Sequence, residues 1–155
     1  MTVAVLWWRW LWVANASALL FGAAMVLAPG PTRQFFGLLL YARSDAIDAF
    51  GSGAVAYITL LHAVLGAVMV GWAVALMCVL HGPFRRGERS GWTTLAVSLV
   101  AWFVPDTLRS LVSGFWPNAL FNLMFATLFA VPLVATWRAF HAPCAESGII
   151  LTPTC

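Results

Sequence analysis

The chain has 155 residues, of which 63% are hydrophobic and 8% charged, and its mean hydropathy is +0.92. A soluble domain carries roughly 25% charged residues, so a soluble fold is excluded and an integral membrane protein is the class that remains. The net charge of +3 comes from arginine alone, because lysine is absent, and the arginines are scattered rather than massed, which removes nucleic acid as a partner.

The first predicted span covers 4–28. Ala14-Asn15-Ala16 has the small-x-small form of a cleavage site. No positive charge precedes the apolar run and Arg9 lies inside it, so a retained anchor is expected rather than a signal peptide. Pro29-Gly30-Pro31 ends the span. The apolar piece 34–41 is too short to cross about 30 Å of hydrocarbon and is expected to lie at the interface as a short helix. Ser44 is then the expected cap of a second span over 45–80, with Asp45 and Asp48 in its first turn complementing the helix dipole. At that length the segment must project into the headgroups or bend near Gly51-Ser52-Gly53.

His81-Gly82-Pro83 closes the second span, and "FRRGERSG" is the most basic loop of the chain. A third span is predicted over 92–113 with a kink at Pro105, and a fourth over 117–140, where Pro117 suits the first turn. Short links make neighbouring spans antiparallel. The fold class is therefore an all-α integral membrane protein, a single domain built as a four-transmembrane-helix antiparallel bundle with a short interfacial helix between spans 1 and 2. Four crossings put both termini, the Arg85, Arg86 and Arg89 loop and a tail over 141–155 on one face. The excess of arginine there places that face in the cytoplasm, with a bacterial inner membrane as the expected location. Six of the nine tryptophans, Trp7, Trp8, Trp10, Trp92, Trp116 and Trp137, fall near span ends, as an aromatic belt requires. Cys78, Cys144 and Cys155 have no metal-ligand spacing and their odd number cannot close a complete disulfide framework.

Against this background Asp106 and Arg109 stand out, because a charge inside hydrocarbon costs at least about 2.5–3.5 kcal/mol and so faces a partner or a wet cavity. Three apart on a helix, they are expected to pair with each other. At about 1.5 Å per residue Asp106 lies about 21 Å beyond Trp92, in the outer half of the bilayer. The fourth span returns from the same side with Asn118 and Asn122 on one face. On the second span Asp48, Ser52, Thr59, His62 and Gly66 follow a 3/4 spacing that turns the imidazole inward. Asp48, His62, Asp106, Arg109, Asn118 and Asn122 thus form the candidate site, either a ligand pocket or a polar lock between helices. Gly66 and Gly71, with Ala63, Ala67 and Ala75, offer a small-residue surface for close helix approach.

The sequence contains no phosphate-binding loop, HExxH, CxxC pair or nucleophile elbow. Three functional readings follow. The leading one is an accessory or assembly subunit packing on a larger membrane complex, with a membrane protein or a second copy as partner and the mostly uncharged tail "HAPCAESGIILTPTC" as a docking segment. The alternative is a membrane-embedded binder or enzyme for a lipid, isoprenoid or quinone-like ligand. In the third, His62 holds a haem or chlorin as an axial ligand; otherwise no cofactor is expected.

Overall fold

In the computed structural model the described residues are 5–141, so the tail proposed for docking lies outside them except for His141. Five helices follow one another: α1 (Val5–Leu27), α2 (Pro29–Tyr41), α3 (Ser52–Val79), α4 (Arg89–Val112) and α5 (Trp116–His141). Four of them, α1, α4, α5 and α3 with its π-helical extension to Phe84, are long and apolar enough to cross a membrane. The protein is an all-α, four-span integral membrane bundle, with α2 as the short helix between the first two spans.

Two boundaries differ from expectation. Pro29-Gly30-Pro31 does end α1, but Pro29 then opens α2, since its fixed φ and missing N–H suit a first turn. The second span begins at Ser52, not at 45. Residue Ala42 is left-handed (φ 57°) and closes α2 by donating its N–H to the Leu38 carbonyl at 3.0 Å, after which 44–49 form turns. Ser44 therefore caps nothing, and Asp45 and Asp48 are held by arginines instead of a helix dipole. Arg43 grips Asp45 through two hydrogen bonds of 3.2 and 2.9 Å, and Arg33 Nε donates to Asp48 Oδ1 at 2.9 Å.

The bundle is assembled from two helix pairs. In the first, α1 crosses α3 where Gly22 meets Gly66, and each glycine leaves no room for a Cβ. This is the small-residue contact expected of membrane helices, which have no hydrophobic force between them and rely on close packing. Gly71, by contrast, faces open space. Deeper along the same pair Asn15, fully buried, donates its Nδ2 to the Ala73 carbonyl at 2.8 Å.

The second pair is the α4–α5 hairpin, turned at Gly114 with φ 80°. Pro132 has no N–H for the Leu128 carbonyl, and Trp10 Nε1 of α1 takes that acceptor at 2.9 Å. Trp92 Nε1 likewise donates to the Leu133 carbonyl at 2.9 Å, so these indoles fasten helices together as well as sitting near span ends. At the loop end of the bundle, Leu11, Leu76, Leu80, Phe84, Leu95 and Phe140 belong to one buried cluster. There the backbone of Pro83 and Phe84 presses on Gly91. Away from that end α3 and α4 make few contacts with each other, and the space between them forms the site.

Candidate functional site: an intramembrane cavity with a polar end

The polar end is organised by the α4–α5 turn. Asn118 Nδ2 donates to Ser110 Oγ at 2.8 Å and approaches Asp106 Oδ1 at 3.5 Å. Ser110 Oγ donates to the Asp106 backbone carbonyl at 2.8 Å, one helical turn back. The expected Asp106–Arg109 pair does not form. The carboxylate faces the hairpin partner, and the guanidinium, exposed on α4, has no ion-pair partner among the described residues. Asn118, brought back by the hairpin, is the group that the Asp106 carboxylate meets instead.

Asp48 is not part of this cluster. It sits outside the cavity in the ion pair with Arg33, whose Nη1 also donates to Thr59 Oγ1 at 3.2 Å. His62, Asp106, Arg109, Asn118 and Asn122 do line one cavity of about 700 Å³, within the roughly 300–1,000 Å³ typical of small-molecule sites. His62 comes from α3, Asp106 and Arg109 from α4, and the two asparagines from α5, so three walls meet at the polar end.

Below that end the cavity is apolar. Its lower wall holds Trp72 beside Trp102 (ring centroids 6.3 Å apart) and Phe129 (6.3 Å from Trp72). Above, α2 closes it. Phe36 lies flat on the His62 ring, at 4.5 Å and 16°, and belongs to an aromatic cluster with Phe21, Phe35, Phe121 and Phe125. Sequence reasoning missed this aromatic cover, although Phe121 and Phe125, four apart on one helical face, carry the signal for it.

Two residues that line the cavity carry a buried polar atom without a partner. Asn122 is 2% exposed, and its Nδ2 is buried without a hydrogen bond; the Nδ1 of His62 is in the same condition. A buried donor left unmade costs about 1–3 kcal/mol. The polar end presents a guanidinium and a carboxylate together, and suits a molecule with a polar group at one end and an apolar remainder. No protein family, curated protein or solved structure matches the chain. Fold and site together define a four-span membrane protein with a polar-ended internal cavity.

Proposed function

We propose that this protein binds an amphipathic lipid within the bilayer, its polar head at the α2 end and its chain in the apolar space between α3 and α4. The observation that carries the reading is the cavity of about 700 Å³ with the Arg109 guanidinium, the Asp106 carboxylate and the Asn118 carboxamide at one end and Trp72, Trp102 and Phe129 at the other. Arg109 donates to an acceptor of the head, Asp106 accepts from a donor of it, and the aromatic walls receive hydrocarbon. Five arginines, Arg9, Arg85, Arg86, Arg89 and Arg138, belong to the loop end, against Arg33, Arg43 and Arg109 at the other. This supports cytoplasmic termini and an outer-leaflet head site in a bacterial inner membrane.

The test is native mass spectrometry of protein purified in mild detergent, delipidated and re-exposed to lipid. The wild type should retain one lipid per chain, and Ser98→Phe, which fills the wall of the cavity, should retain none while remaining folded. Equal retention by both would remove the reading. The other two readings keep separate tests. An accessory-subunit role requires a stoichiometric membrane protein in the purified material; lipid-facing apolar surface is common to all such bundles and does not favour one. Haem or chlorin on His62 requires visible absorbance, and the imidazole stacked under Phe36 offers one covered face.

A further inference from the structure

The cavity carries one charge of each sign at its polar end, and the two do not neutralise each other. Asp106 and Arg109 line it from successive turns of α4, about 4.5 Å apart along the axis by helix rise. No ion pair joins them. Ser110 Oγ gives its proton to the Asp106 backbone carbonyl at 2.8 Å, which leaves Asn118 Nδ2, at 3.5 Å from Oδ1, as the donor that the carboxylate meets. That donor is neutral, and the guanidinium has no ion-pair partner among the described residues. Charges placed at membrane depth are compensated by a partner or by water. A ligand that fills this end displaces the water and must supply the counter-charges itself.

We infer that the head of the ligand is a zwitterion, with an oxyanion accepting from the Arg109 guanidinium and an ammonium N–H donating to the Asp106 carboxylate. The inference rests on the lipid-binding reading above and adds the chemical class of the head. An anionic head meets Arg109 but brings like charge to Asp106, and a cationic head reverses the fault. A neutral head, whether a quinone or the hydroxyls of an acylglycerol, leaves both charges without a counter-charge, and hydrogen bonds between ionised groups are the stronger ones. A phospholipid with an ethanolamine head carries phosphate and ammonium on one short link, which suits a guanidinium and a carboxylate one helical turn apart, and its chains run beside Trp72 and Trp102. A choline head bears the same charges, but its quaternary nitrogen has no N–H. Asp106 is then the residue that tells the two heads apart.

The experiment titrates full-length, delipidated protein in detergent at neutral pH, reading bound lipid by native mass spectrometry. The lipids are dioleoyl phosphatidylethanolamine, its N-methyl, N,N-dimethyl and choline forms, dioleoyl phosphatidylglycerol and dioleoylglycerol. The ethanolamine lipid should bind about tenfold more tightly than phosphatidylglycerol or dioleoylglycerol, the factor expected of one charge-assisted hydrogen bond. Along the methylation series affinity should fall at the choline form, where the last N–H is lost. Asp106→Asn should lose the preference for ethanolamine over choline, whereas Arg109→Gln should weaken both lipids alike and keep that preference. Should either variant fail to fold by circular dichroism, the methylation series on the wild type decides alone. Unchanged affinity at the choline form, an ethanolamine preference that survives Asp106→Asn, or binding of phosphatidylglycerol or dioleoylglycerol as tight as that of the ethanolamine lipid would each overturn the zwitterion assignment while leaving lipid binding standing. Failure of every lipid to bind would instead overturn the lipid-binding reading itself.

Discussion

Replacing Gly66 with alanine should open the α1–α3 pair, and the structure fixes how far. A Cβ at Gly66 would lie 2.5 Å from the Gly22 carbonyl oxygen and 2.7 Å from Met25 Cβ. Ordinary contact begins near 3.4 Å, so the two helices must separate by most of an ångström at their closest point, because the obstructing carbonyl is backbone and has no rotamer to relieve it. Overpacking of this kind costs about 1–3 kcal/mol. Alanine also gains up to about 1 kcal/mol of helix propensity over glycine, which would mask part of the loss. Gly71→Ala on the same helix provides the correction, since its Cβ would meet nothing within 4 Å. The measurable quantity is the difference between the two variants in SDS-titrated unfolding followed by circular dichroism, and Gly66→Ala should be the less stable by about 1–3 kcal/mol. If both variants unfold at the same denaturant fraction, the Gly22–Gly66 crossing is not the contact that holds α1 to α3.

Trp10→Phe should destabilise by about 0.6–1 kcal/mol, because it returns the Leu128 carbonyl, orphaned by Pro132, to an unpaired state. Its double-mutant cycle with Pro132→Ala, which restores the missing N–H, should show most of that loss cancelled. Among groups outside the spans, the Arg43 hydrogen bond holds the Asp45 carboxyl below its ordinary 3.8, with Asp45's own backbone and the Arg43 charge acting in the same direction. A carboxylate depressed in the folded state contributes stability above its unfolded pKa and loses it as pH falls through the folded value. Arg43→Gln should therefore lower stability slightly above about pH 4 and leave it unchanged at more acid pH, which flattens the acid limb; the effect is small because the pair is fully exposed. A full-sized acid limb in the variant would contradict the pairing.

The helical architecture was legible because spanning a bilayer demands about 20 apolar residues in a row, and that demand is written in composition. Boundaries were less legible where two rules competed. At 44–51 the pattern of Ser44, Asp45 and Asp48 satisfied a capping rule. Arg33 and Arg43, distant or adjacent in sequence, compete for the same carboxylates and win, leaving Gly51 as the residue before the helix. Depth was readable as well, since helix rise carries His62, Asp106, Arg109, Asn118 and Asn122 toward one end, where the cavity gathers them. Pairing was not readable. Whether Asp106 turns to Arg109 or to Asn118 depends on the geometry of the hairpin at Gly114, which no spacing along α4 records. The aromatic cover over His62 depends on where α2 folds back, and a 13-residue helix at an interface has no hydropathy signal for its orientation.

Photolabelling tests most directly that a lipid chain occupies the space between α3 and α4. Wild-type protein reconstituted with a phospholipid carrying a diazirine on its acyl chain should be labelled on Trp72 and Trp102, which line the cavity, at a yield comparable to that on the exposed Val74 and Val134. The labelling of Trp72 and Trp102 should vanish in Ser98→Phe while that of Val74 and Val134 stays. Labelling confined to the outward residues, with the cavity wall no more reactive than the bundle core, would show that lipid stays outside and that the cavity serves another purpose.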